Sequence, residues 1–245
     1  MPESGARTLV DTLLQLGVTN LFTLSGNQIL SIYDATIDTP LQLIHTRHEA
    51  AAVHMADAWG RLTENPGVAL VTAGPGHCNT ISALYVARMA ESPLVLLSGH
   101  CATSDIGTGA FQEMDQVAIA APVCKASWIL THPDRIRENL EYAFHLARNG
   151  RPGPVHISIP SDILGLALSD SNPDSSKTPV SSSPNNMNKT DLSTVLRRLR
   201  SAKKPLVLTG PSMTRDRRWS QVQKFSRIAN IPALPMDSPR GVNDP

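Results

Sequence analysis

The sequence predicts an α/β protein with a doubly wound, mainly parallel sheet, followed by a partial second α/β domain. Short apolar runs alternate with helix-length segments through the first 165 residues, as in parallel sheets whose strands are joined by helices. Several of these runs end in glycine turns, where a backbone can approach a ligand closely. A stretch rich in Ser, Pro and Asn then breaks the pattern, and a shorter alternation follows it.

The first domain is predicted over residues 1–168. Its strands are expected at 19–26, 41–46, 67–76, 93–99 and 153–160. Its helices are expected at 6–17, from Glu49 through the alanine-rich segment that follows it, at 77–92 and at 133–150. Gly17 and Gly150 stand where the first and last of these helices should end, since glycine commonly follows a helix C-terminus.

Residues 169–190, "SDSNPDSSKTPVSSSPNNMNKT", hold almost nothing apolar to bury, so they are predicted to form a flexible linker. The segment 191–245 then offers two helices and two strands. So few elements rarely bury enough surface to stand alone. We therefore expect 191–245 to be the N-terminal part of a truncated central α/β domain.

Composition excludes several classes of protein. The net charge is +1 and no Lys/Arg-rich run occurs, so nothing favours a nucleic acid or an anionic membrane as partner. The apolar runs are too short to span a bilayer, and the N-terminus lacks the pattern of a signal peptide. Cys78, Cys101 and Cys124 are odd in number and lack C-x-x-C spacing, which indicates reduced thiols and a cytoplasmic location.

Three predicted strands end in unusual sequences: "LSGNQ", "HTRHEA" and "TAGPGHCN". Ligands bind beyond the carboxyl ends of strands in open α/β sheets, although each glycine alone would also suit a simple tight turn. No dinucleotide fingerprint, P-loop or nucleophile elbow is present. His45, His48 and His54 span a strand-to-helix junction, so we interpret them as structural or surface histidines and expect no metal site.

Six stretches, read in order, resemble the pyrimidine-binding domain of thiamine-diphosphate enzymes. They are "GNQILSIYDA", "TRHEAAAVHMADAWGR", "GVALVTAGPGHCNTISAL", "PLVLLSG", "GAFQEMDQVAIAAPVCK" and "NGRPGPVHISIP". The chain is most similar to the acetolactate synthase group, with its benzaldehyde lyase and 2-hydroxyacyl-CoA lyase relatives. The resemblance covers residues 4 to about 165 in one register, and the family also continues with a linker and a central domain.

The resemblance implies roles for individual residues. Glu49 matches the glutamate that hydrogen-bonds N1′ of the cofactor's aminopyrimidine and so promotes activation of C2 of the thiazolium. A carboxylate at a helix N-terminus is also favoured by the helix dipole, and the two roles can coexist. The turns that line the pyrimidine pocket correspond to Gly26, Thr72, Pro75, Gly76 and Asn79. For Asn79 the alternative interpretation is a helix N-cap.

Four further residues match positions around the reaction centre. Gln112 of "AFQE" corresponds to a glutamine that reaches the reacting centre, and we count it with Glu49 as a catalytic candidate. Phe111 and Lys125 would lie near the substrate entrance, although an exposed charge is an equal alternative for Lys125. Arg151 matches an arginine that contacts FAD in acetolactate synthases, so FAD is a second candidate cofactor.

Two departures from the family pattern limit what the chain can do. Ser25-Gly26 stands where the family has Pro-Gly, and no Gly-Asp-Gly signature of the domain that holds Mg²⁺ and the diphosphate occurs in the 245 residues. We therefore expect the N-terminal part of a carboligase or decarboxylase, a lyase or transferase acting on 2-keto acids, that is inactive alone. Its expected partner is another copy or a chain with the diphosphate-binding domain. The alternatives are a separate pyrimidine-domain subunit of a two-chain decarboxylase and a non-catalytic oligomerisation or regulatory module.

Overall fold

The computed structural model of the protein describes residues 4–166, 189–210, 213 and 217–236. The chain divides into two compact units, Met1–Thr178 and Pro179–Pro245, and the division falls inside the predicted linker 169–190. Residues 169–188 of that linker lie outside the described part of the chain. The last two linker residues, 189 and 190, are helical, so regular structure resumes slightly earlier than the sequence predicts.

A six-stranded, fully parallel sheet forms the centre of the first unit. Its strands are β1 (Asn20–Thr23), β2 (Gln42–His45), β3 (Gly67–Val71), β4 (Leu94–His100), β5 (Ala126–Ile129) and β6 (Pro154–Pro160). Their order in the sheet is β2-β1-β3-β4-β6-β5. The strands β3, β4 and β6 are buried along their whole length, as expected where helices cover both faces of a parallel sheet. The predicted parallel α/β fold is therefore confirmed.

Helices cover both faces of this sheet. They are α1 (Gly5–Gln15), α2 (Leu30–Thr36), α3 (Glu49–Thr63), α4 (Pro75–Cys78), α5 (Ile81–Met89), α6 (Gln116–Ala120), α7 (Ile136–Arg148) and α8 (Ser161–Gly165). One apolar core lies under α1 and α7, where Leu9, Leu13 and Phe144 are fully or almost fully buried. The other lies under α3 and α5, where the side chains are small, such as Ala52 and Ala83. This two-sided arrangement confirms that the sheet is doubly wound.

Two glycines stand directly after the C-caps of their helices. Gly17 follows Leu16, the C-cap of α1, with a φ of +83°, and its N–H and that of Val18 donate to the carbonyls of Leu14 and Leu13. Gly150 likewise has a positive φ, +67°, and follows Asn149, the C-cap of α7. Both helices therefore end at their predicted glycines.

The sequence analysis missed strand β5 and treated α4 and α5 as one helix. Strand β5 pairs only with β6 at the edge of the sheet, and its four residues are only partly buried. The segment is therefore neither long nor apolar enough to be distinguished from a loop. The predicted helix at 77–92 is two helices, with Asn79 and Thr80 forming a turn between them.

The second unit contains α9 (Lys189–Ser201), β7 (Val207–Thr209), α10 (Arg217–Ala229) and β8 (Ala233–Pro235). Strands β7 and β8 pair in parallel. Large apolar side chains remain exposed on its helices and strands, among them Leu192, Leu208, Ile228 and Leu234. The unit therefore buries little apolar surface of its own. No helix in the described part of the chain is both long and apolar enough to cross a membrane.

Candidate functional site

The unusual turns meet at the carboxyl ends of the strands because β2, β1 and β3 are neighbours and run in parallel. The chain leaves β1 for the Gly26 turn, β2 for the start of α3, and β3 for the segment 72–79. Carboxyl ends of neighbouring parallel strands form the usual ligand crevice of open α/β sheets. The fold thus brings together the residues that the sequence placed on three separate turns.

Glu49 is the first residue of α3, and its side chain is directed into this crevice. His48 caps the helix, since its Nδ1 accepts a hydrogen bond from the N–H of Ala50 at 3.1 Å. Glu49 is only 8% exposed. Its Oε2 accepts a hydrogen bond from Asn79 Nδ2 at 2.8 Å, whereas Oε1 accepts none from any described residue. One carboxylate oxygen is therefore fixed, and the other is left for a ligand.

Asn79 serves this carboxylate rather than a helix terminus. It follows the short helix α4, and the residue that precedes α5 is Thr80, which makes no side-chain cap. The N-cap interpretation of Asn79 is therefore wrong, because its amide donates to Glu49 across a sequence separation of 30 residues.

Two glycines let the turns pack closely beside Glu49. A Cβ on Gly76 would lie 2.7 Å from Thr72 Cγ2 and 3.3 Å from Glu49 Oε1. A Cβ on Gly26 would lie 2.4 Å from Thr72 Cβ. Pro75 occupies the first turn of α4, where its missing N–H is not needed. The missing Cβ of Gly76 therefore keeps a side chain away from the free carboxylate oxygen, and that of Gly26 lets the β1 turn pack against Thr72.

Two glutamines that the sequence analysis did not select hold these turns in place. Thr72 Oγ1 donates to Gln28 Oε1 at 2.6 Å, which links the β3 turn to the β1 turn. Gln116 is buried: its Oε1 accepts from the N–H of Gly74 at 2.9 Å, and its Nε2 donates to Gly99 O and Ser158 Oγ. Gln28 belongs to the quoted "LSGNQ" turn and could have been proposed, whereas the sequence gave no signal for Gln116.

Gln112 and Phe111 lie beside the same turn. A Cβ on Gly74, whose φ is +57°, would lie 2.8 Å from Gln112 O and 2.9 Å from Gln112 Cβ. Phe111 is 72% exposed. Gln112 is therefore packed against the turn that carries Pro75 and Gly76, and an uncovered aromatic side chain stands next to it. Their catalytic and substrate roles stay predictions.

Lys125 and Arg151 lie at the amino ends of the strands, opposite the crevice, just before β5 and β6 begin. Lys125 Nζ donates to Leu146 O and, at 2.7 Å, to Asn149 O, so the ammonium binds carbonyls at the end of α7. Burial lowers the pKa of Lys125. Arg151 Nε donates to Glu91 Oε1 at 2.8 Å. Within this chain neither residue joins the Glu49 crevice, and their roles at a substrate entrance and toward FAD stay predictions.

A pair of buried histidines lies behind the Gly76 turn. The rings of His77 and His156 have centroids 4.5 Å apart, and neither residue has exposed surface. His77 Nδ1 is 2.8 Å from Ser98 Oγ, and His156 Nδ1 is 2.8 Å from Ser127 Oγ. Burial lowers the pKa of His77 to about 4 and that of His156 well below its usual value. Both imidazoles are therefore neutral at physiological pH.

The cysteines and histidines do not form a metal site in the described part of the chain, where no cluster of three or more His, Cys, Asp or Glu could hold an ion. All three cysteines are free thiols. Burial raises the pKa of Cys101 and raises that of Cys124 to about 12, so both resist ionisation.

Comparisons with known proteins agree with this geometry. A family model described as the N-terminal TPP binding domain of thiamine pyrophosphate enzymes matches residues 3–119. The acetolactate synthase isozyme 3 large subunit of Escherichia coli is 40% identical over 235 residues, which is 94% of this chain and 41% of the relative. The acetolactate synthase large subunit of Haemophilus influenzae is 36% identical over 233 residues, 94% of this chain and 40% of the relative.

The match extends to an archaeal relative, the probable acetolactate synthase large subunit of Methanocaldococcus jannaschii. It is 39% identical over 159 residues, which is 65% of this chain and 27% of the relative. The chain therefore spans less than half the length of these curated relatives. The family model covers Glu49 and all the turns that surround it. The first domain is accordingly the N-terminal pyrimidine-binding domain of the thiamine-diphosphate enzyme family, and the chain is similar to the N-terminal part of acetolactate synthase large subunits.

Proposed function

We propose that this chain is the N-terminal part of a carboligase or decarboxylase that acts on 2-keto acids, and that it supplies the pyrimidine half of the active site. The observation that carries the proposal is the Glu49 carboxylate. It is buried, Asn79 holds one of its oxygens, and the other lies beside the missing Cβ of Gly76. A buried carboxylate with a free oxygen is costly unless a ligand pairs with it.

The residues fit an aminopyrimidine. Glu49 Oε1 is positioned to accept a hydrogen bond from, or share a proton with, a ring nitrogen, because Asn79 leaves that oxygen free. The absence of a Cβ at Gly26 and Gly76 lets a flat ring approach the backbone. When bound, thiamine diphosphate supplies the thiazolium carbon that reacts with a keto acid. Gln112, packed against Gly74, is the candidate to contact that acid.

A second polypeptide segment must complete the site, since no residue set for Mg²⁺ and a diphosphate occurs in the described chain. We propose that it is a diphosphate-binding domain, carried by another copy of the enzyme or by a separate chain, and that it docks on the packed helices α3 and α5. These helices leave large apolar side chains uncovered: Met55, Leu62, Tyr85, Val86 and Met89. Uncovered apolar patches of this kind mark interaction surfaces.

Two finer assignments rest on less. Arg151 has a side chain that is 70% exposed, so its guanidinium can bind a phosphate of FAD while it keeps its ion pair with Glu91. The three free cysteines support a reducing compartment such as the cytoplasm.

Titration of the chain with thiamine, followed by amide NMR signals, tests the pyrimidine site directly. One charge-assisted hydrogen bond contributes about 1.5–3 kcal/mol. Stacking adds a similar amount, whereas association costs at least ~4 kcal/mol. We therefore expect a Kd no better than roughly millimolar, which corresponds to about −4 kcal/mol. Saturable shifts should be confined to Gly26, Thr72, Gly76 and Asn79.

Glu49→Gln should weaken thiamine binding by roughly tenfold or more, about 1.4 kcal/mol, because an amide cannot share the proton. The control Glu141→Gln makes the same change on the exposed surface of α7 and should bind as the wild type does. Shifts that are absent at saturating thiamine, or that are identical in Glu49→Gln, would refute the site. Turnover of pyruvate by the chain alone would refute the proposed half-site.

A further inference from the structure

The loop before α6 is folded around a carboxylate of its own. Glu113 accepts hydrogen bonds from the backbone N–H groups of Gly107, Gly109 and Ala110, the last two at 2.7 and 3.0 Å. Gly107 and Gly109 have φ values of +87° and +77°, and a Cβ on either would meet no atom within 4 Å. These glycines therefore serve the backbone conformation, which turns successive N–H groups toward one anion.

The same loop ends in a residue with an unusual backbone. Gln112 has a φ of +61°, in the left-handed region that favours glycine. Its backbone and Cβ press on Gly74, in the turn that leads to Pro75 and Gly76. Such a conformation persists only where the surrounding structure imposes it. The next residue, Glu113, supplies the fixation, since its N–H donates to Ala110 O while its carboxylate binds three N–H groups.

We propose that Glu113 is a positioning residue that holds the 107–113 loop so that Phe111 and Gln112 are presented to the substrate. This inference rests on the proposed function, because it assigns to Glu113 the orientation of that function's substrate-contacting residues. Glu113 contacts neither Glu49 nor the pyrimidine crevice. The Gly74 turn on which Gln112 presses is held separately by Gln116, so we expect Glu113 to act on the keto acid more than on the cofactor.

The charge of Glu113 is central to this role. An ionised carboxylate is an acceptor at both oxygens and suits three converging donors, whereas the amide of glutamine would direct its own N–H groups at them. The backbone N–H groups of the loop lower the pKa of Glu113, first among them that of Gly107. The bound form is therefore the ionised one at neutral pH.

Hydrogen exchange of the full chain tests whether Glu113 holds the 107–113 loop, and it requires no enzymatic activity. In Glu113→Gln and Glu113→Ala we expect the amides of Gly107, Gly109 and Ala110 to exchange at least tenfold faster, with thiamine shifts at Gly76 unchanged. The control Asp105→Asn removes the same charge two residues before this loop, where the Asp105 carboxylate accepts a hydrogen bond from Ser104 Oγ, and it should exchange as the wild type does. Unchanged protection in Glu113→Ala would overturn the inference. If Glu113→Ala does not fold, the near-isosteric Glu113→Gln decides.

Steady-state kinetics of the chain assembled with its diphosphate-binding partner separate positioning from structure. Glu113→Gln should raise the KM for the keto acid and lower kcat/KM by tenfold or more, while the affinity for thiamine diphosphate stays within twofold. Loss of cofactor affinity in parallel with activity would instead indicate a merely structural role and overturn the inference. Absence of turnover by the wild-type assembly would refute the proposed function. The exchange experiment would still show whether Glu113 holds the 107–113 loop.

Discussion

Acid should destabilise the first unit through its buried histidine pair. His77 and His156 are fully buried, and within the described structure the Nε2 atom of each ring has no hydrogen-bond partner. A protonated ring would place an uncompensated charge there. Burial lowers the pKa of His77 from 6.5 to about 4, and it lowers that of His156 well below its usual value. At mildly acidic pH, therefore, these two histidines bind protons in the unfolded chain but not in the folded chain.

The sign and size of the effect follow from this difference. Stability is highest above pH 6.5 and falls as the pH drops, because only the unfolded state binds the proton between pH 6.5 and about 4. For His77 the full effect is about 3 kcal/mol, at about 1.4 kcal/mol for each unit of pKa. At pH 5 about 2 kcal/mol of it is already lost. His156 acts in the same direction, so acidification removes a large share of an ordinary domain's ~5–15 kcal/mol.

The variant His77→Gln isolates this contribution. Urea unfolding at pH 7.5 and pH 5, followed through the amide signals of β4 and β6, measures the loss of stability on acidification. The loss should be about 2 kcal/mol smaller in His77→Gln than in the wild type, whatever the variant's stability at pH 7.5. The control His54→Gln replaces an exposed histidine of α3 and should lose as much as the wild type. Equal losses in His77→Gln and the wild type would refute the reasoning.

Two further substitutions test the carboxyl and the amino ends of the strands. Gly76→Ala places a Cβ 2.7 Å from Thr72 Cγ2 and 3.3 Å from Glu49 Oε1, so thiamine titration should show binding weakened by roughly tenfold or more, about 1.4 kcal/mol. Gly165→Ala, where a Cβ meets nothing within 4 Å, should bind normally, and equal binding by both variants would contradict the packing argument. Lys125→Met removes the hydrogen bonds to the end of α7, so urea unfolding should show a loss of about 1 kcal/mol while thiamine still binds. Weakened thiamine binding in Lys125→Met would contradict its placement away from the crevice.

The fold could be predicted from the sequence where a buried strand appears as a continuous run of mostly apolar residues. Strands β3, β4 and β6 are covered on both faces, so most residues in them are apolar or small, and a glycine turn marked the end of β3. Strand β5 shows no such run, because an edge strand is only half covered. The break between α4 and α5 was also hidden, since the backbone of Asn79 and Thr80 between them stays in the right-handed helical region.

The crevice was predictable for a different reason. Glu49, Thr72, Gly76 and Asn79 lie within short motifs at strand ends, and parallel neighbours must bring such ends together. Gln116 could not be predicted, because its hydrogen bonds span 42 residues to both Gly74 and Ser158. The order of the motifs also did not predict that Lys125 and Arg151 lie at the amino ends of the strands, away from the crevice.

The hydrogen bonds of Gln116 explain how the proposed pyrimidine half-site can be ordered within one chain. Its carboxamide joins the Gly74 turn to β4 and β6 in the middle of the sheet, where the backbone is most deeply buried. Moving the turn would leave donors and acceptors unpaired in that interior, which costs about 1–3 kcal/mol for each group. The turn, and with it the space beside Glu49, is therefore fixed by the core of the first unit. On this reasoning a docking partner adds groups to a crevice that is already formed and does not have to shape it.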